Sequence, residues 1–165
     1  MIQSPSFPRA AEDNGNYISS EALEPAALLS QAHHPGAGAV VLFSGEVRDH
    51  SSGMAVKYLE YEAHASMASK MIAAILQEAI SRWSLNIAVA QHRVGKVQVG
   101  ESAVVVITAS PHRKEAYDAN RFIIDKIKHE VPIWKCEYFE DGTKEWGGNC
   151  SCHKVTGDLN KHVYE

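Results

Sequence analysis

The sequence predicts an α+β domain in which two main helices pack on a mixed or antiparallel sheet. Two observations carry this prediction: strand-sized apolar runs alternate with two long segments of helical periodicity, and the connections between consecutive strands are short enough to keep them adjacent. The chain has 165 residues, of which 45% are hydrophobic and 22% are charged. This composition is typical of one globular domain whose core needs no disulfide or metal.

The predicted domain spans residues 17–146, between a polar leader at 1–16 and a tail at 147–165. The leader lacks the apolar segment of a secretory signal, and no apolar run reaches the roughly 18 residues of a membrane helix. The odd number of three cysteines gives no disulfide framework and fits a reducing compartment. We therefore expect a cytoplasmic protein that does not span a membrane.

The first half of the domain is expected to hold two helices and two main strands. An extended segment at 17–19 precedes a short helix at 25–32, which a proline-glycine break ends. The segment 37–47 contains four consecutive apolar residues, as in a buried strand, and a polar loop leads to a second strand at 56–62. The helix at 64–83 carries a wide apolar face, which indicates that it lies on the sheet.

The second half repeats this alternation. Strands at 87–94 and 102–109 flank a small excursion that two glycines punctuate. Apolar residues then recur at helical spacing over 114–128, and this helix stops before Pro132 because the residue before a proline disfavours helical geometry. A final strand is expected at 133–139.

The formal net charge of −4 conceals a basic central region. Between His92 and Lys135 there are eight Lys or Arg residues against five acidic ones. A basic excess this small argues against a nucleic-acid binder, which usually presents a larger basic face to phosphates. It suits a small anionic ligand.

The segment Ser110-Pro111-His112-Arg113 leaves a strand and enters a helix. Free backbone N–H groups, the positive end of the helix and the two basic side chains would all converge on one anion there. The alternative is a well-made helix start, with Ser110 as N-cap and Pro111 as the first helical residue.

One face of this helix carries Tyr117, Arg121, Ile124 and Lys128, because they are spaced by four, three and four residues. On the strand that follows, side chains alternate between two faces. One face carries Ile133, Lys135 and Glu137. The other carries Trp134, Cys136 and Tyr138, and it is the one expected to face the core.

A turn at Pro132 that folds back would bring Lys135 close to Lys128. Two neighbouring cations disfavour each other's protonation, and an amine with a lowered pKa can transfer protons or act on a carbonyl. Such chemistry suits acyl or sulfur transfer. The alternative is that both lysines are solvated surface charges.

Other polar residues carry weaker signals. Arg48 ends a strand, where it forms either a site residue or a surface pair with Asp49. His64 and His92 are interpreted as ordinary structural histidines. The tail segment Cys150-Ser151-Cys152-His153 offers too few ligands for a typical zinc site, so no metal and no cofactor are expected. Gly147-Gly148 is internal and cannot serve as the terminal Gly-Gly of a sulfur carrier.

Five motifs together resemble the large, catalytic subunit of molybdopterin synthase over about residues 17–146, and their order and spacing make the resemblance specific. They are Phe43-Ser44-Gly45-Glu46-Val47-Arg48-Asp49-His50, Leu59-Glu60-Tyr61-Glu62, His92-Arg93-Val94-Gly95, Ser110-Pro111-His112-Arg113 and Val131-Pro132-Ile133-Trp134-Lys135.

The resemblance implies an α/β hammerhead-type fold and a homodimer that binds a small ubiquitin-like subunit on each copy, a heterotetramer overall. It implies a sulfurtransferase in molybdenum cofactor biosynthesis. The partner's C-terminal Gly-Gly thiocarboxylate would deliver sulfur twice to cyclic pyranopterin monophosphate, forming the dithiolene of molybdopterin.

Carried over by position, the family's essential lysines correspond to Lys128 and Lys135. Its anion-binding residues correspond to Arg48, His112 and Arg113. We also count Glu137, as a residue that orients Lys135, and Arg121 among the substrate-binding residues.

Two rival functions remain open at this point. A persulfide sulfurtransferase would use Cys136, or Cys150 and Cys152, as the sulfur carrier. A non-catalytic scaffold would bind an anion or a partner without chemistry.

Overall fold

The computed structural model describes residues 17–148, which form three helices and nine strands. In chain order they are β1 (Ile18–Ser19), α1 (Pro25–Ser30), β2 (Ala39–Glu46), β3 (His50–Ser51), β4 (Met54–Ala63), α2 (Ala65–Trp83), β5 (Ile87–Arg93), β6 (Gly95–Gln98), β7 (Ser102–Ser110), α3 (Arg113–Glu130), β8 (Ile133–Phe139) and β9 (Lys144–Gly148).

The first sheet has the strand order β1-β5-β7-β2. The β1–β5 pair is parallel and the other pairs are antiparallel, so the sheet is mixed, as predicted. Alternating residues of β7 face opposite sides: Val104 and Val106 join the core beneath α2 and α3, whereas Val105 and Ile107 pack with the residues around α1. The two long helices therefore cover one face and the short helix covers the other.

The second sheet has the strand order β3-β4-β8-β9, and β6 also pairs with β4. Its inner face contributes Leu59, Tyr61, Ile133 and Phe139 to the same core as α2 and α3. The two long helices pack on the first sheet, and the second sheet's inner face joins the same core, which confirms the predicted α+β class. None of the helices in residues 17–148 is long and apolar enough to cross a membrane.

The prediction for the two faces of β8 was wrong. Ile133 is buried and the Glu137 side chain is only 14% exposed, whereas Trp134 is 47% exposed. The reason is the partner strand, since Lys135 and Glu137 lie opposite Tyr61 and Leu59, which point into the core. Burial on the other face, including that of Cys136, comes from neighbouring strands and the stacked rings of Tyr58 and Tyr138, with centroids 4.5 Å apart.

Three strands were not predicted. β3 pairs with the start of β4 within the segment that was expected to be a polar loop. β6 forms where the sequence indicated only an excursion between glycines, and β9 pairs with β8 through residues 144–148. All three are short strands whose pairing with other strands stabilises them, so local periodicity carries little information about them.

The direction of α3 is set by polar side chains that anchor it to the first sheet. The Thr108 hydroxyl donates to the Ala116 carbonyl at 2.7 Å, and the Asn120 amide donates to the Val41 and Val106 carbonyls, each at 3.1 Å. As the helix advances, its contacts move toward the start of β7. Its C-terminal end therefore returns to the edge of the sheet where β7 begins and β2 ends.

Candidate active site

The C-terminal end of α3 places Lys128 beside Lys135, which is the first charged residue after Pro132. Burial of the amine, together with the positive charge of Lys135, lowers the pKa of Lys128 to about 8. Lys135 in turn forms an ion pair with Glu137, with 3.1 Å between Nζ and Oε1. The pKa of Lys128 is thus close to neutral pH, and the Lys135 ammonium is held by a carboxylate.

Two buried rings lie next to these lysines. His92, on β5, is fully buried, and its ring meets the Tyr61 ring edge-on with centroids 5.0 Å apart. Burial is the main reason that the pKa of His92 falls to about 4, and the charge of Lys128 also lowers it. Burial, with a contribution from Glu137, raises the pKa of Tyr61 to about 12. We call Tyr61, His92, Lys128, Lys135 and Glu137 the lysine cluster.

His92 and Tyr61 were not identified as site residues from the sequence. A single histidine in a strand gives no periodic or spacing signal, and an aromatic residue on β4 is interpreted as core. Both do lie within motifs that carried the family resemblance, Leu59-Glu60-Tyr61-Glu62 and His92-Arg93-Val94-Gly95. His64, by contrast, is structural, because its Nδ1 accepts from the Met67 N–H at 3.3 Å and caps α2.

Arg48 lies at the same end of the first sheet as the lysine cluster. Its neighbour Val47 exchanges backbone hydrogen bonds with the loop before β7, donating to the Glu101 carbonyl at 3.1 Å and accepting from Gly100 at 2.8 Å. Arg48 itself is exposed. The Asp49 carboxylate pairs with His50 at 2.7 Å, so the predicted alternative of an Arg48–Asp49 surface pair is not what the structure shows.

His112 and Arg113 lie at the opposite end, at the start of α3, and both are exposed. The predicted cap was wrong: His112 is the N-cap residue, and the Ser110 hydroxyl donates to the His112 carbonyl at 2.5 Å. Ser110 cannot cap because it still belongs to β7, where it pairs with Ala39. We call His112 and Arg113 the helix-start pair.

A tight contact fixes this end of the fold. The Gly38 N–H donates to the Ser110 carbonyl at 3.0 Å, and a Cβ atom at Gly38 would lie 2.4 Å from the Pro111 carbonyl oxygen. Only glycine allows the 33–38 segment to approach so closely.

Within one chain the helix-start pair and the lysine cluster are far apart. Fifteen residues of α3 separate Arg113 from Lys128, which corresponds to about 20 Å along the helix axis. The structure therefore unites Lys128, Lys135 and Glu137, places Arg48 at the same end, and does not bring His112 or Arg113 to them.

Arg121 is also separate from the lysine cluster. Its side chain is 84% exposed and lies 3.5 Å from Asp125, in a surface groove between α2 and α3 whose lining includes Arg82, Trp83 and Phe122.

Cysteine and metal chemistry find little support in residues 17–148. Cys136 is fully buried, and burial raises the pKa of its thiol, which opposes formation of the reactive thiolate. In this part of the chain no group of three or more His, Cys, Asp or Glu residues could hold a metal ion. Cys150, Cys152 and His153 lie outside the described residues.

The lysine cluster can perform proton transfer near neutral pH. An amine with a pKa of about 8 exchanges protons readily at that pH, whereas an ordinary lysine near 10.5 stays charged. The remaining positive charge of Lys135 and Arg48 favours an anionic substrate at the same end. This combination fits transfer reactions of anionic carbonyl compounds.

Comparison with known proteins identifies the family. Residues 18–130 match the family described as MoaE protein. A molybdopterin synthase catalytic subunit from Staphylococcus aureus is 47% identical over 112 residues, which are 68% of this chain and 75% of that protein. Another, from Halalkalibacterium halodurans, is 43% identical over 122 residues, covering 74% of this chain and 78% of the relative.

Solved structures share the fold. The crystal structure of molybdopterin synthase from Staphylococcus aureus superposes with a TM-score of 0.76 and 39% identity, covering 82% of this chain and 98% of that one. The molybdopterin biosynthesis MoaE protein from Burkholderia ambifaria gives a TM-score of 0.68 and 30% identity, covering 81% and 89%. Since the match extends over more than half of the sequence and over most of each relative, the chain belongs to the MoaE protein family, whose matched curated members are molybdopterin synthase catalytic subunits.

Proposed function

We propose that this protein is the catalytic subunit of a molybdopterin synthase, a sulfurtransferase that makes the dithiolene of molybdopterin from cyclic pyranopterin monophosphate. The sulfur comes from the C-terminal thiocarboxylate of a small ubiquitin-like carrier subunit. The observation that carries the proposal is the lysine cluster, because family membership alone does not supply a group that titrates near neutrality. The reaction takes place in the cytoplasm.

Lys128 and Lys135 divide the chemistry according to their surroundings. Lys128, with its pKa lowered to about 8, exchanges protons at the pterin carbons that sulfur attacks. Lys135, held by Glu137, presents a fixed positive charge to the carrier's terminal carbonyl. In each transfer the carrier's sulfur forms a bond to a pterin side-chain carbon as one carbon–oxygen bond at that carbon breaks and its oxygen leaves. Water then cleaves the carbon–sulfur bond of the resulting thioester, so the carrier leaves as a carboxylate.

The phosphate of the substrate needs cations that one chain does not place together. Arg48 lies at the lysine end of the first sheet, but the helix-start pair lies about 20 Å away along α3. We therefore propose a homodimer in which the helix-start pair of a second copy completes each site. With one carrier on each copy, the assembly is a heterotetramer.

Complementation between inactive variants tests both the reaction and the dimer. Cyclic pyranopterin monophosphate and thiocarboxylated carrier are mixed in a single-turnover assay with wild type, Lys128→Ala, Arg113→Ala and purified mixed dimers of the two variants. Each variant alone has both sites damaged. A mixed dimer has one site with both defects and one with none, so it should regain turnover.

The outcomes separate the parts of the proposal. No product from wild type, despite carrier binding, would refute the synthase function and favour a non-catalytic scaffold. Active wild type without complementation would refute the shared site. A variant with Cys136, Cys150 and Cys152 replaced should stay active, and its inactivity would favour the persulfide mechanism.

A further inference from the structure

His92 holds an unused hydrogen-bonding atom inside the protein. The residue has no exposed surface, and its Nε2 atom has no hydrogen-bond partner among residues 17–148. A buried polar atom without a partner loses its hydrogen bonds to water and gains none in return, so native proteins rarely keep one without a use.

The other ring nitrogen determines what Nε2 can do. His92 Nδ1 lies 2.8 Å from the Arg93 carbonyl oxygen. Since a carbonyl oxygen only accepts, Nδ1 carries the proton, and in the neutral ring Nε2 is left with a lone pair. The pKa of about 4 keeps the ring neutral throughout the physiological range. Nε2 is therefore a permanent acceptor.

Two titratable groups lie next to the His92 ring, Lys128 on α3 and Tyr61 on β4. Lys135 and Glu137 on β8 act in turn on these two, Lys135 on Lys128 and Glu137 on Tyr61. Lys135 forms an ion pair with Glu137 at 3.1 Å, and Tyr61 meets the His92 ring edge-on rather than through Nε2. Lys128 is the cation whose charge acts on His92.

We propose that His92 is a positioning residue for Lys128, whose ammonium donates a hydrogen bond to the Nε2 lone pair. Lysine has a flexible stem of four carbons, which lets its ammonium turn toward a neighbouring acceptor. The contact relieves two penalties together, the partnerless acceptor and the desolvated ammonium. It also fixes the direction in which the Lys128 amine points.

The catalytic role of this contact rests on the proposed function, whereas the test below does not depend on it. A hydrogen bond to the ammonium stabilises the charged form, so His92 limits how far burial and Lys135 lower the pKa of Lys128. Losing the acceptor should lower that pKa further and shift the pH profile of turnover in the same direction.

The test compares two substitutions by NMR titration of the substrate-free protein. His92→Asn keeps an amide that can donate to the Arg93 carbonyl but has no atom at the Nε2 position, whereas His92→Gln places its amide oxygen there. The signal of Lys128 is assigned by its loss in Lys128→Arg. We expect the pKa of Lys128 to fall by about one pH unit in His92→Asn and to stay near 8 in His92→Gln.

An unchanged Lys128 pKa in a folded His92→Asn variant would overturn the proposal, since a purely structural histidine predicts that result. If His92→Asn does not fold, the test uses His92→Gln alone. A lowered Lys128 pKa in that variant, which keeps an acceptor at the Nε2 position, would overturn the proposal. Because the titration contains no substrate, it also separates the two proposals. The expected shift in a protein that makes no molybdopterin would leave the positioning role standing and refute the function.

Discussion

The two ends of α3 carry the same kind of charge in different surroundings. At its start, the helix-start pair is exposed to solvent. Near its end, Lys128 is enclosed beside a second cation, and its pKa is lowered to about 8. An exposed cation attracts anions, whereas a desolvated cation also becomes able to give up its proton near pH 7. The difference teaches that proton chemistry near neutral pH needs a titratable amine that is also buried, whereas anion binding needs only an accessible positive charge.

The largest expected effect comes from fixing the charge of Lys128. Lys128→Arg keeps a positive charge but cannot release a proton, because the pKa of arginine is above about 12. Turnover should fall by about 10²–10⁴-fold, the usual contribution of a proton-transferring group. The matched control is Lys126→Arg on the same helix, where the lysine pairs with Glu130 at 3.0 Å. Equal turnover in both variants would refute the proton-transfer role of Lys128.

The second-largest expected effect is on how the free energy of unfolding changes with pH. The pKa of His92 is about 4 in the folded protein and about 6.5 when unfolded, so the unfolded chain binds more protons between these values. Stability should therefore fall as the pH drops through this window, by about 3 kcal/mol once protonation is complete. Urea unfolding of wild type and His92→Asn at pH 7 and 4.5 measures this loss. Parallel pH dependence in the two proteins would contradict the burial of a neutral imidazole.

Lys128 changes the free energy of unfolding with pH in the same direction as His92, over a higher pH range. Its pKa is lowered from 10.5 to about 8 on folding, so the unfolded chain again binds more protons between these values. This contribution makes stability rise with pH from about 8 to 10.5.

The smallest expected effect sharpens the comparison from the other end of α3. Gly38→Ala would place a Cβ atom 2.4 Å from the Pro111 carbonyl oxygen, so the segment before Arg113 must shift. We expect a loss of about 1–3 kcal/mol in thermal unfolding and weaker substrate binding, with the pKa of Lys128 unchanged. Gly147→Ala is the control, since its Cβ would meet no atom within 4 Å. A shifted Lys128 pKa in Gly38→Ala would show that the two ends are coupled.

Much of the fold followed from local pattern. The long helices and the main strands were predicted because apolar spacing and the proline before β8 are local signals. The faces of β8 were not, because alternation defines two faces without saying which one meets the helices. Pairing with β4 decided that, and it turned Lys135 and Glu137 inward.

The candidate site divides in the same way. Sequence by itself determined the family, and it predicted the two lysines and the anion-binding residues, because these depend on residue types in a recognisable order. Only the tertiary structure decided that His92 and Tyr61 belong to the lysine cluster, and that the helix-start pair lies at the far end of α3. The physical reason is that desolvation and distance are properties of packed neighbours from separate elements, and no segment of the chain contains them alone.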